Sequence, residues 1–383
     1  MNKKTILFLS GTRADFGKIK ALIQTVIDLE EFDYQIFVTG MHLLKRYGNT
    51  HLEITKSGFD NIHRFINQHI DEPMEMVLAN TVQGLSRYVQ ENRPDMIVVH
   101  GDRVEALAGA IVGSLNNILV AHIEGGERSG TIDELIRHSV TKLSHLHLVA
   151  NSEAKNRIIQ MGEVEENVKI IGSPDIDVMK SNQLPAFKEV KQHYEIPFDE
   201  FHVVMFHPVT TEHEKFLVYA KNLVDVLIES KENYIVIYPN NDHGSNAILD
   251  QYKRLENLEQ FRVYPSIKFE AFLTLIENAK SMIGNSSAGI REAPIYGVPS
   301  INIGTRQNLR YKNDSIIDCT YEKDSIKEAL NQVLQGKVQK TKCEYFGSGN
   351  SAEEFKKLLL SEDTWSIPAQ KVFVDVNNGG HNE

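Results

Sequence analysis

The sequence predicts an α/β protein built as two doubly wound, Rossmann-like halves. Three observations carry this. Short apolar runs, hydrophobic on both faces, are each followed by a turn and a segment of helical spacing, the pattern of a parallel sheet covered on both sides. The pattern breaks at a proline-punctuated polar stretch over 181–200 and then restarts. The length of 383 residues, 41% of them hydrophobic, supplies core for two or three domains.

The first strand is read at 5–10. It ends in a glycine turn, and the helix after it carries Ile19, Leu22, Ile23, Val26 and Ile27 at helical spacing. A second strand is read at 34–39 and a helix at 74–91. Strands at 96–100, 118–122, 146–150 and 168–171 complete the first half. The second half repeats the scheme with strands at 202–206, 234–238, 261–264, 281–284 and 300–303. The boundaries expected are a first domain over 1–180, a linker over 181–200, a second domain over 201–365 and a tail over 366–383. The tail reads as disordered from 377 on. Two such halves about a hinge leave a ligand cleft between them, at the carboxyl ends of the strands.

Composition excludes several classes. A formal net charge of −11 argues against a nucleic-acid or membrane-surface partner. The apolar start stops at Gly11, too soon for a secretory signal, and no run of about twenty apolar residues follows. A soluble cytoplasmic protein is the expectation. Cys319 and Cys343 form no CxxC pair, so neither a disulfide framework nor a zinc knuckle is expected. His145 and His147 read as buried or capping residues. With no HExxH pattern, no metal is expected.

The densest chemistry lies between His122 and Asp133, where Glu124, Glu127 and Asp133 surround a Gly125-Gly126 turn. Thr131 reads as a helix N-cap with Glu134 as its reciprocal partner, which leaves Glu124 and Asp133 without a structural role. His122 and Glu124, two apart, are expected to face the same side of the strand end. In His100-Gly101-Asp102-Arg103, Asp102 reads first as a cap for the next helix, with Arg103 supplying charge to a neighbour or an anionic ligand. Arg13 and Lys18 flank the turn that opens the first helix, where free N–H groups favour an anion, although the GxGxxG spacing is missing. His207 precedes a proline, so its backbone is extended and its ring is displayed at the cleft. Ser286 and Ser287 are expected to open a helix as a phosphate cradle, with Glu292 about two turns in as a hydrogen-bond acceptor and Arg306 as a second cation. Ser351 and Glu354 read as a capping box.

These motifs resemble the hydrolysing UDP-N-acetylglucosamine 2-epimerases. The resemblance rests on Gly11 to Asp15, His100 to Arg103, His122 to Glu127, Ser129 to Asp133, Ile136 to His138, Phe206 to Thr211, Gly284 to Ser287 and Gly304 to Arg306. It implies a glycosyltransferase-B-like fold whose first half contributes acids and whose second half holds UDP. The implied reaction converts UDP-N-acetylglucosamine and water to N-acetylmannosamine and UDP through a 2-acetamidoglucal, opening sialic-acid synthesis and, in a bacterium, capsule production. Asp102, Glu124 and Asp133 would then handle protons, and His207 would assist the departure of UDP. Arg13, Lys18, Arg103, Ser286, Ser287, Glu292 and Arg306 would bind substrate, and Asn240 and Phe272 match nucleotide-contacting positions. No cofactor is implied, and a homodimer or homotetramer is. The loop wording after Glu124 favours hydrolysis over simple epimerisation. Gly17 departs from the animal enzymes, which place a serine there. A UDP-2,4-diacetamido-6-deoxy sugar is the alternative substrate; a glycosyltransferase and a non-catalytic UDP-sugar sensor are the alternative functions.

Overall fold

The computed structural model describes residues 3–129, 131–181 and 184–375; the tail from 377 on lies outside them. Among the described residues, seven parallel strands form the first sheet: β1 (Lys4–Ser10), β2 (Phe32–Val38), β3 (Ile62–Arg64), β4 (Met96–His100), β5 (Leu119–Ile123), β6 (Leu146–Val149) and β7 (Val168–Ile170). Their order is β3-β2-β1-β4-β5-β6-β7. Six more form the second: β8 (His202–Met205), β9 (Tyr234–Ile237), β10 (Phe261–Tyr264), β11 (Ser281–Gly284), β12 (Ser300–Ile303) and β13 (Ile316–Cys319), in the order β10-β9-β8-β11-β12-β13. In each sheet the order reverses beside the first strand, the switch point where such sheets open a crevice. No helix is long and apolar enough to cross a membrane.

The central strands read clearly because both faces are covered. Met96, Ile97, Val98 and Val99 of β4 all lie in the core, as do Ile6, Leu7 and Phe8 of β1. The sequence reading missed β3 and β13. Each sits at a sheet edge with little buried surface, so the two-faced apolar signature never forms.

The stretch over 181–200, read as a linker, contains a helix at Phe187–His193 whose Val190 enters the core of the second half. The helix at Ser351–Leu360 leaves the second half and returns to the first. Phe355 and Leu359 pack with Phe8, Ile19 and Leu22, although the sequence reading assigned everything to 365 to the second domain. Trp365 stacks on Phe32 at 5.6 Å between centroids. The returning helix is not capped by Ser351 and Glu354. Asp177 of the first half accepts from the backbone N–H groups of Ser351 (3.0 Å) and Ala352 (2.8 Å), a cap supplied from a distant part of the chain.

The halves touch where the first helix (Arg13–Ile27) meets the helix at Phe269–Glu277. Gly17 lets them approach: a Cβ there would stand 2.5 Å from Phe269 Cγ. A serine at this position has no room in this packing. At the other side of the cleft, Gly284 ends β11 with φ +135°, and a Cβ would fall 1.9 Å from the carbonyl oxygen of Met205. That close approach brings the loop at Asn285 against the end of β8.

Candidate active site

A cavity of about 280 Å³ lies between the carboxyl ends of the two sheets. The side chains given catalytic or substrate-binding roles by the resemblance all line it: Arg13, Lys18, Asp102, Arg103, Glu124 and Asp133 from the first half, and His207, Asn240, Phe272, Ser286, Ser287, Glu292 and Arg306 from the second.

At its floor is a buried ion cluster centred on Glu124. This residue follows β5 with φ +63°, a left-handed conformation that costs a non-glycine residue about 1–3 kcal/mol and is held by its surroundings. Its Oε1 accepts from Ser173 Oγ (2.7 Å), Arg291 Nη2 (2.7 Å) and Lys18 Nζ (3.4 Å), and lies 3.3 Å from His100 Nε2. Arg291 also grips both oxygens of Glu127 at 2.5 Å and packs over the Phe346 ring. Lys18 adds Asp175 at 3.3 Å and Glu292 at 3.7 Å. Burial works to raise the Glu124 pKa, but Arg291, Lys18 and His100 together hold it well below the usual range. Glu124 is therefore a closely confined carboxylate whose ionised form is favoured.

His100 bridges this cluster to Asp15, 3.4 Å from its Nδ1. Burial opposes its charge, yet Glu124 and Asp15 outweigh that and raise its pKa to about 9. It is an imidazolium at neutral pH.

Above the cluster sit two carboxylates pushed in opposite directions. Asp102 accepts from Arg137 and lies 3.6 Å from Arg310. Burial raises its pKa, but Arg137, Arg310 and Arg306 win and the net shift is downward. Asp133 is raised, first by burial and then by the charge of Asp102, despite Arg306 Nη2 at 3.3 Å. One acid is thus held ionised and its neighbour is biased toward carrying a proton.

From the second half, the His207 ring is fixed in one tautomer. Its Nδ1 accepts from the Asn240 backbone N–H at 3.0 Å, which leaves the proton on Nε2. Asn285 clamps the backbone on both sides, accepting from His207 N–H (2.6 Å) and donating to its carbonyl (2.8 Å). Burial, then Arg306 and Arg103, push the pKa well below the ordinary value, so the ring is neutral. It offers a neutral N–H donor to whatever fills the cavity.

Several expectations need correction. Asp102 does not cap a helix: the helix at Val104–Leu115 is preceded by Arg103 with no side-chain cap, because the Asp102 carboxylate is drawn to Arg137. Thr131 does cap its helix, but Glu134 accepts from Ser129 N–H instead of closing the box. His122 and Glu124 do not face the same way. His122 is fully buried, hydrogen-bonded to the Gly101 carbonyl (2.8 Å), while the positive φ of Glu124, one residue beyond the strand, breaks the alternation. Ser286 and Ser287 open only a three-residue 3-10 turn, Ser287–Gly289, and Glu292 begins the next short helix rather than lying two turns into one. So short a turn has little dipole, and positive charge at this face comes chiefly from arginines. Arg13 is engaged by Glu53, and Arg103 stands 3.5 Å from Glu105.

Sequence reasoning missed Arg291, Arg310, Ser173 and Asp175. Arg291 lay in plain view beside Glu292, but nothing in its local pattern marked a buried arginine. Arg310 follows the flagged Gly304-Thr305-Arg306 loop by one turn's length, and that proximity was the available signal. Among the described residues, no group of three or more His, Cys, Asp or Glu side chains could hold a metal ion.

Comparison with known proteins shows what the chain is similar to. A family profile described as UDP-N-acetylglucosamine 2-epimerase matches residues 25–360. The chain is 48% identical to the UDP-N-acetylglucosamine 2-epimerase of Neisseria meningitidis serogroup B, covering 98% of this chain and 100% of the relative. It is 32% identical to the UDP-N,N'-diacetylbacillosamine 2-epimerase (hydrolyzing) of Legionella pneumophila, over 93% and 95%. The fold matches the crystal structure of the Methanocaldococcus jannaschii UDP-GlcNAc 2-epimerase in complex with UDP-GlcNAc and UDP, with a TM-score of 0.78 at 19% identity, over 93% and 99%.

Proposed function

The chain belongs to the UDP-N-acetylglucosamine 2-epimerase family, and from that premise we propose that it is the hydrolysing enzyme, converting UDP-N-acetylglucosamine and water to N-acetylmannosamine and UDP. The observation that carries the mechanism is the pair Asp102 and Asp133, two acids in one cavity with pKa values displaced in opposite senses.

The proton on carbon 2 is not adjacent to a carbonyl and is barely acidic. Breaking the carbon 1–oxygen bond first builds oxocarbenium character and acidifies it. UDP leaves with the bonding pair; its charge is met by the neutral Nε2–H of His207, by Arg306 and by the N–H groups at Ser286 and Ser287. Asp102, held ionised, takes the carbon 2 proton to give the glycal. Asp133, biased toward its protonated form, delivers a proton to the other face of carbon 2. Water then bonds to carbon 1 and returns its proton to Asp133, while the proton on Asp102 passes to solvent. Glu124, locked by Arg291, Lys18 and Ser173, is a poor proton carrier. Its fixed negative charge suits stabilisation of the oxocarbenium instead.

The test is incubation with UDP-N-acetylglucosamine in deuterated water. Free N-acetylmannosamine bearing deuterium at carbon 2 is expected; UDP-N-acetylmannosamine would overturn the hydrolysing assignment. Parallel turnover of a UDP-2,4-diacetamido-6-deoxy sugar tests the substrate, since the 48% relative carries the N-acetylglucosamine name and the 32% relative the diacetamido one. A nucleotide-sugar substrate agrees with a cytoplasmic enzyme, and the family resemblance supports a homodimer or homotetramer, which light scattering measures.

A further inference from the structure

Behind the catalytic ion cluster lies a second cavity, of about 260 Å³, close in volume to the first. Its walls come from the catalytic loop after β5, the helix at Ser152–Gln160, the segment after β12 and the chain returning to the first half. In a protein of net charge −11, this cavity collects Arg128, Arg157, Arg291, Arg310 and Lys312 against two carboxylates, Glu127 and Glu153. Tyr311 and Tyr345, stacked at 4.3 Å, form one apolar wall.

Two of these cations also line the catalytic cavity, so one set of side chains separates the two spaces. Arg291 joins Glu127 on this side to Glu124 on the other. Arg310 faces Asp102 at 3.6 Å, but its side chain is more than nine-tenths buried and its Nε has no hydrogen-bond partner among the described residues. Burial and then Arg137 outweigh the help from Asp102 and disfavour its charge. Arg310 is therefore a buried, under-compensated guanidinium lining the cavity. Arg128 stands exposed among the lining residues.

We propose that this second cavity binds a small anion carried on a ring, phosphorylated or carboxylated, and that its occupancy alters turnover through Arg291 and Arg310. The anionic group meets the guanidinium groups of Arg128 and Arg310, and the ring lies against the tyrosine wall. An anion on Arg310 weakens that residue's pull on Asp102; one that draws on Arg291 loosens Glu124. The binding claim stands on the cavity alone, whereas the effect on turnover rests on the catalytic reading above.

The experiment is calorimetric titration of the full chain with UDP saturating the catalytic cavity. UDP binding is measured first and reports separately on the catalytic reading. Glucose 6-phosphate and glucuronate are the ring-bearing probes, and their relative affinities distinguish phosphate from carboxylate. Inorganic phosphate supplies the anion alone and glucose the ring alone. At least one ring-bearing anion is expected to bind once per chain, more tightly than phosphate, with glucose silent. Arg128→Ala is expected to weaken it by about fivefold or more, while turnover without the anion is unchanged. Added at saturating substrate, the anion is expected to change kcat. Absence of binding with UDP present, or equal binding in wild type and Arg128→Ala, overturns the site; binding with unchanged kcat overturns the coupling.

Discussion

Replacing Arg291 by methionine isolates the energetics of the ion cluster. Methionine fills a similar volume and keeps contact with the Phe346 ring, which the guanidinium now covers at 4.5 Å. What it removes is charge. Glu127 loses both of its 2.5 Å contacts, Glu124 loses one at 2.7 Å and Asp175 one at 3.9 Å. Stranding buried carboxylates in this way costs about 3–5 kcal/mol, a large share of the about 5–15 kcal/mol that holds a domain folded. The sign with pH follows. In the wild type the Glu124 pKa is depressed, so its stabilisation is present above the unfolded value and is lost as pH falls through the folded one. In the variant Glu124 lacks the first of the charges that depress its pKa, so less of this pH-dependent stabilisation is there to lose. The stability gap between the two proteins therefore closes on acidification. Denaturant melts at neutral pH and near pH 4.5 measure it, and adding Glu127→Gln to Arg291→Met is expected to recover part of the loss. A gap below about 1 kcal/mol at neutral pH, or one that does not change with pH, would refute the view that these charges hold one another in place.

Asp102→Asn and Asp133→Asn are expected to lower kcat by about 100-fold or more with unchanged circular dichroism. The Asp133 pKa is displaced upward, so any loss of kcat/KM as pH rises through it is expected to vanish in its variant. Glu124→Gln, by contrast, is expected to lose stability as well as activity, because Lys18, His100 and Arg291 would share one fewer anion; unaltered melts would show that the cluster is slack. His100→Gln is expected to cost up to about 3 kcal/mol below pH 6.5, from a pKa raised from 6.5 to about 9. That advantage of the wild type is lost as pH rises through about 9, and a difference independent of pH between 6 and 10 contradicts it. Gly17→Ser is expected to cost about 1–3 kcal/mol through overpacking against Phe269 and to raise KM by prising the halves apart; wild-type values for both would show that the interface yields freely.

Both sheets were legible because parallel strands buried on two faces write continuous apolar runs, and because the chemistry collects at the loops that follow them. Asp102, Glu124 and His207 each stand just past such a run, and all reach one cavity. What escaped was whatever depends on a distant partner. Asp177 caps a helix 174 residues away and leaves no local mark. Arg291 and Asp175 lie 3.9 Å apart within one cluster with Lys18 and Glu124, and no window of sequence holds both. The His122 side chain was misdirected because strand alternation ends one residue before Glu124, where a left-handed backbone takes over. β3 and β13 escaped because edge strands bury too little to alternate.

The return of the last helices to the first half has a consequence for how the chain is made. Residues that complete the core beneath β1 are separated from it by the entire second half, since Phe8 meets Phe355 and Lys4 lies over Trp365. During synthesis from the amino terminus, the first half must wait with one flank of its sheet uncovered while the second half is translated and folds. The connectivity therefore makes the core beneath β1 depend on residues translated only after the whole second half.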